Sequence, residues 1–213
     1  MMQPPVERRD GDLEAAARRA LAVCEEVEGR RFEDGALEEI AGERLEFSRC
    51  AFVRCRFSQL AVKWLSFTDC TFERCDFSGA SLRKASLTRC RLVSSRGVGA
   101  DLSEATLAHV TLSDCALSYL NLSLAKLTQA RLERCDLRFC AFYQNRIKGL
   151  AFDRCALSGA EIGGMSLNGI DLRTCEIDGI KLTGGELKGA IVTPPQACDL
   201  ARLLGVDIRN EEG

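Results

Sequence analysis

Residues 55–82, CRFSQLAVKWLSFTDCTFERCDFSGASL, place Phe, Val or Leu at every fifth position: Phe57, Val62, Phe67, Phe72, Phe77 and Leu82. Helical faces recur at about 3.6 residues and strands at 2, so a sustained step of five belongs to neither. It marks an internal repeat. Stepping by five from Phe47 to Leu187 visits 29 positions, of which only Gly97 is not apolar. The series two residues earlier, Leu45 to Gly185, is apolar in 26 of 29 places, the exceptions being Ser95, Asn145 and Gly185. Two inward-facing columns thus run through about two thirds of the chain without a slip of register.

Within that frame, CDFSG at Cys75, ADLSE at Ala100 and CDLRF at Cys135 put a small residue, then Asp, then a central Leu or Phe. This resembles the pentapeptide-repeat family, whose consensus is roughly A-(D/N)-L-x-x. The resemblance implies an all-β chain: a right-handed quadrilateral β-helix, four pentapeptide faces and 20 residues to a coil, with short terminal α-helices. Such units stack because one alone cannot bury its apolar face. At a strand spacing of roughly 4.8 Å, some seven coils give a rod on the order of 35 Å long.

Sorting the sequence by 20 explains the cysteines. Cys50, Cys70 and Cys90 form one column, and Cys55, Cys75, Cys115, Cys135, Cys155 and Cys175 another, interrupted by Ser95. With Cys140, ten of the 12 cysteines take the small inward position, leaving Cys24 and Cys198 outside it. A free thiol behaves as a small hydrophobe and fits where leucine would crowd the coil. There is no CxxC pair with zinc spacing, so packing rather than metal or disulfide chemistry is the expectation, and no cofactor is implied. MMQPPVERRD shows no secretory n- and h-region, and no apolar run nears the ~18 residues of a membrane span. Twelve thiols are most easily kept reduced in the cytoplasm, the expected location.

Both flanks leave the repeat. From Asp12 to about Val27, Leu13, Ala17, Ala20, Leu21, Cys24 and Val27 lie at helical spacing behind an acidic cap, predicting a helix over the first coil. At the other end Thr193 reads as an N-cap, Pro194 as the first helical residue and Gln196 as the partner in a capping box, with Gly205 as the stop. The organisation predicted is a helical cap and lead-in over 1–31, the β-helix over 32–192, and a terminal helix and strand over 193–213.

A terminal helix followed by a short apolar strand, here GVDI from Gly205, is similar to the dimerisation module of one branch of the family. That branch holds the Qnr-type and MfpA-type quinolone-resistance proteins and the self-protection proteins of makers of albicidin-like poisons. The resemblance implies a homodimer joined through Ala197, Leu200, Ala201, Leu204, Val206 and Ile208. It also implies a non-enzymatic protein that binds DNA gyrase or topoisomerase IV, in part as a mimic of duplex DNA. The alternative at the dimer end is a helix that merely plugs its own coil.

Charge complicates the mimicry. Residues 1–46 carry net −6, residues 47–149 net +8 and residues 150–213 net −4. The middle is basic, which leaves direct nucleic-acid binding open, while an acidic terminal third would meet its copy at the centre of a dimer. A generic scaffold rod without topoisomerase affinity is the other function compatible with the fold.

Candidate partner residues lie at outward or irregular positions. Around Gly97, either a bulged loop presents Ser95, Arg96 and Val98 or the coil has a tight defect. Tyr119 and Phe139 are 20 residues apart, so they should stack, with Leu124 and Tyr143 on the next face; clustered exposed aromatics often mark interfaces. Arg54, Arg74, Arg134 and Arg154 share an outward column, read as a solvated face or an acid-binding row. His109 has no nucleophile and carboxylate arranged around it, and no P-loop, Rossmann or zinc-protease motif occurs, so an enzyme is not expected.

Overall fold

The computed structural model describes residues 11–209. It is a parallel β-solenoid whose strands pair at a step of 20 residues, for example Phe47 with Phe67 and Leu112 with Leu132. Pairing begins at Val27, opposite Phe47, so the lead-in stretch already belongs to the first coil.

Side chains at numbers ending in 2 or 7 fill the axis. Phe47 stacks on Phe67, Phe52 on Phe72 and Phe57 on Phe77, with ring centroids 5.3, 4.8 and 4.4 Å apart and planes within 11° of parallel. Neighbouring stacks meet edge-on, as Phe47 and Phe52 do at 79°. Beyond Phe77 the axis is lined mainly by leucine and isoleucine.

Numbers ending in 0 or 5 take mainly Cys and Ala, with larger side chains such as Leu45, Leu120 and Met165 among them, and here the thiols act as weak donors. Cys50 Sγ lies 3.3 Å from the carbonyl of Val27, and Cys140 Sγ lies 3.1 Å from that of Leu117, each acceptor 23 residues earlier. All the cysteines are free. Burial pushes the Cys140 thiol up to about 12, so it stays protonated and unreactive at neutral pH.

Corners are made at numbers ending in 4 or 9. Every one of the 21 described non-glycine residues with positive φ, from Cys24 to Arg154, carries such a number. The left-handed region costs an L-residue roughly 1–2 kcal/mol, and the corners hold because their N–H groups reach the next coil: Arg54 N donates to Glu73 O at 2.8 Å and Tyr119 N to Arg138 O at 2.9 Å.

Beside faces that are three-residue strands ending at the corner, such as Ala51–Val53 and Arg56–Ser58, two other shapes occur. In the tight form a backbone amide donates to the carbonyl three residues before it, as Ala80 N does to Phe77 O and Leu120 N to Leu117 O; on several of these faces an Asp or Asn at the first outward position also accepts from the amide two residues on, as Asp76 does from Ser78, Asp101 from Ser103 and Asn121 from Ser123. That Asx turn is the structural content of the Asp in the repeat. In the extended form the chain runs through the corner as one long strand, over Ala41–Ser48, Ala61–Thr68, Lys126–Glu133 and Arg146–Asp153.

The N-terminal helix α1 (Leu13–Val23) is capped by Asp12, whose carboxylate accepts from Glu14 N at 2.9 Å. It buries Leu13, Ala17 and Ala20 against the first coil. The helix stops at Val23, earlier than the periodicity predicts, because Cys24 turns left-handed with φ 55° and is exposed, and Val27 joins the solenoid instead. The C-terminal helix α2 (Pro194–Leu203) starts in a complete capping box: Thr193 Oγ1 accepts from Gln196 N, and Gln196 Oε1 accepts from Thr193 N. The same Gln196 amide donates to the carbonyls of Leu172 and Cys175 at 2.9 and 2.8 Å, tying the helix to the coil beneath it. Residues 206–209 form no strand in the single chain. No helix among the described residues is long and apolar enough to cross a membrane.

Candidate functional site

Four large apolar side chains stand out from the rod close together. Tyr119 and Phe139 occupy successive coils at one corner, stacked with centroids 5.0 Å apart and planes 16° from parallel, and remain 59% and 50% exposed. Leu124 and Tyr143 occupy successive coils of the adjoining face, the amide of Leu124 donating to Tyr143 O at 2.7 Å. Glycines on the next coil receive the rings. A Cβ on Gly159 would lie 2.6 Å from Phe139, and one on Gly163 would lie 2.6 Å from Tyr143. The rings thus lie down along the rod. Tyr143 is fixed further by its hydroxyl, which donates to Glu161 at 2.8 Å; Glu161 also pairs with Lys181 and is held below the usual carboxylate range by that lysine first and by Tyr143 second.

The C-terminal end is a second apolar surface. Leu200 is buried against the last coil, whereas Leu203, Leu204 and Val206 are 49%, 48% and 51% exposed. Ala197 is exposed, and Ala201 and Ile208 are half-buried. The helix therefore both plugs its own coil, through Leu200 and Gln196, and leaves an apolar edge uncovered.

The stretch around Gly97 is not a loop. Arg96 bridges to Asp76 and Ala116 in register, and Gly97 N donates to Ala116 O at 2.8 Å. Ser95 is buried, its hydroxyl donating to Val93 O and accepting from Cys75 N, so it copies the cysteine it replaces and faces no partner. Leu117 leans into the space left by the glycine, 2.9 Å from where a Cβ would sit. Arg96 remains exposed and Val98 half-buried.

The arginine column is neutralised rather than free. Arg54 pairs with Asp34 and Glu33, Arg134 with Asp114, Arg74 with Glu73 and Arg154 with Asp153. Arg89 pairs likewise with Asp69 one coil earlier. Exposed pairs of this kind contribute little stability singly; Asp69, Glu73 and Asp114 are already counted in the net +8 of residues 47–149, and only pairs such as Arg54 with Asp34 and Lys63 with Glu43 set acid of the first segment against it. Among the described residues no group of His, Cys, Asp and Glu could hold a metal ion.

Residues 65–142 match the family profile of a pentapeptide repeat region. The chain carries a pentapeptide-repeat region. No curated protein sequence matches the chain. Among solved structures, a trypsin-treated form of QnrB1, a plasmid-mediated fluoroquinolone resistance protein, is 18% identical, covers 86% of this chain and 100% of its own, and superposes with a TM-score of 0.38. HetL, a pentapeptide-repeat protein involved in heterocyst differentiation regulation in Nostoc sp. strain PCC 7120, is 19% identical over 86% of this chain and 98% of its own, with a TM-score of 0.30. Rfr23 of Cyanothece 51142 gives 18% identity, 84% and 99% coverage, and 0.29. At these identities and scores the solved rods bear on neither partner nor activity.

One surface residue of the pentapeptide-repeat region escaped the sequence reading. Trp64 is 68% exposed, on an extended corner, beside a concavity of about 480 Å³ that includes Val62, Lys63, Ser81 and Arg83. Here an extended face is followed by a tight one, and no backbone hydrogen bond joins 61–65 to 81–85. A signal existed: the single tryptophan stands at a number ending in 4, an outward position.

Proposed function

We propose that this chain is a non-enzymatic binding rod that docks on a type II topoisomerase, DNA gyrase or topoisomerase IV, and relieves it of a cleavage-stabilising poison. The observation that carries the reading is the uncovered apolar edge of α2, Leu203, Leu204 and Val206, at the end of a pentapeptide-repeat rod. An end of that kind suits a second copy, and two copies joined there make a longer rod with the acidic terminal thirds at its centre. Arg49, Arg54, Arg56 and Lys63 pair with Glu28, Asp34, Glu38 and Glu43 of the acidic first segment, which offsets part of the basic charge that stands against mimicry of DNA. The patch of Tyr119, Phe139, Leu124 and Tyr143 is the partner surface, since large rings held flat by packing bury area at low entropic cost.

The patch equally suits a scaffold for another protein, and supercoiling by purified gyrase separates the two. With the chain titrated against a cleavage-stabilising poison, rescue at low concentration, with inhibition only at higher concentration, supports protection. No change in either curve across several poisons removes it and leaves the scaffold.

A further inference from the structure

The small inward column that runs through Ala85, Ala105 and Ala125 receives Asn145 one coil later. This side chain is buried, 8% exposed; its Nδ2 donates to Leu122 O at 2.5 Å, but Oδ1 has no partner. A buried acceptor left without a donor is destabilising, and alanine was available at this position without that cost.

Beside Asn145 the ladder opens. The strand Arg146–Asp153 pairs along its whole length with the preceding coil, Lys126–Glu133. On its other side, among the described residues, no backbone–backbone hydrogen bond joins 145–154 to 165–174. On the flanking faces pairing continues, Ala141 with Glu161 and Ala156 with Glu176. The cause is a change of shape, as at Trp64. Residues 146–150 are extended, whereas Ser166 accepts from Asn168 N and Ile170 N donates to Leu167 O, drawing the next coil into a tight turn. The result is a concavity of about 380 Å³ with Asn145, Ile147 and Gly149 on one lip and Ser166, Asn168 and Gly169 on the other.

The charge at this seam is one-sided. Lys126 and Arg146 are register partners and Lys148 follows on the same strand; all three are exposed, and among the described residues none makes an ion pair. The seam at Trp64 differs, because Lys63, Arg83 and Lys84 there are all paired with glutamates.

We propose that the Asn145 seam binds a short, extended, acidic segment of a partner protein by strand addition. The segment's N–H groups supply the donors that Asn145 Oδ1 and the open carbonyls lack, its carbonyls accept from the free amides of the lip, and its carboxylates meet Lys126, Arg146 and Lys148. A simple anion would satisfy the cations but offers Asn145 no donor. A peptide offers both. The seam is separate from the edge of α2, so its occupancy does not depend on the topoisomerase reading.

The test is amide hydrogen exchange on the full chain. In the free protein the amides of Ile147, Gly149 and Phe152 should exchange at least tenfold faster than those of Leu127, Gln129 and Leu132 one coil earlier. An end-blocked octapeptide of alternating Glu and Val should slow them at least tenfold, and the Lys–Val counterpart should not. Asn145→Ala, which continues the alanine column and keeps the fold, should weaken that peptide at least fivefold; the exposed triple change Lys126→Glu, Arg146→Glu, Lys148→Glu should abolish its effect. Equal protection of the two strands in the free chain overturns the proposal. So does an absent response to millimolar Glu–Val peptide, an equal response to Lys–Val, or indifference to either variant.

Discussion

The two ends of the rod are both covered by a short capped helix, and they are covered differently. At the N-terminal end α1 lays down Leu13, Ala17 and Ala20, all buried, and Leu21 reaches over Gly42, where a Cβ would lie 2.5 Å from it. At the C-terminal end α2 buries Leu200 alone, ties itself down through Gln196, and leaves Leu203, Leu204 and Val206 in the open. An exposed end of a solenoid is a strand edge and an apolar cross-section, which need cover. The first end is the more fully covered, with Val23 its one large apolar side chain left exposed among the described residues. The second is sealed only in part, and on the function proposed above that difference is what a second copy would use.

Breaking the sealed end should have the largest effect. Leu13→Ala removes a buried side chain that also rests on Gly35, 3.0 Å from where its Cβ would be, and should lower stability in urea by about 3 kcal/mol. Next comes Gln196→Ala, which dissolves the capping box and removes the bonds to the carbonyls of Leu172 and Cys175; a loss of about 1–2 kcal/mol is expected from the same titration.

Acid should loosen the C-terminal end before the N-terminal one. The buried Glu186 carboxylate accepts from Gly164 N at 3.0 Å and from the Thr183 amide and hydroxyl, and those bonds, that of Gly164 first, hold it below the usual carboxylate range. Because its folded value lies below its unfolded one, its contribution is complete above the unfolded value and is lost as pH falls through the folded one. Below about pH 4, exchange of the Gly164 and Thr183 amides should quicken while that of Ala17 does not; Glu186→Gln should flatten the difference. The smallest effect is predicted for Leu203→Glu with Leu204→Glu on the stability of the single chain, within about 0.5 kcal/mol in urea at a concentration low enough to dissociate any dimer, since both are exposed.

Much of this was legible in the sequence. The step of five placed each apolar side chain in or out, and the step of 20 placed Tyr119 on Phe139 and Cys50 under Cys70 before any coordinates. A period says nothing about how a corner is turned. Tight faces form with an Asx turn, as at Asp76, and without one, as at Ala116 and Ala156, and where an extended face meets a tight one the ladder opens, so the seams beside Trp64 and Asn145 were not visible. Gly97 and Ser95 read equally as a bulge or a packed defect because the answer lies in Leu117, one coil away, filling the space. The early stop of α1 at Val23 had the same origin: the pull of the first coil on Val27 outweighed the helical spacing of the residues before it.

The central claim of unequal ends is tested most directly by the mass of the full chain in solution, measured by light scattering during size exclusion at tens of micromolar. Roughly twice the 23.4 kDa of one chain, falling to one chain in the Leu203→Glu, Leu204→Glu variant, is the result predicted. A single-chain mass for the unaltered protein at that concentration would contradict it.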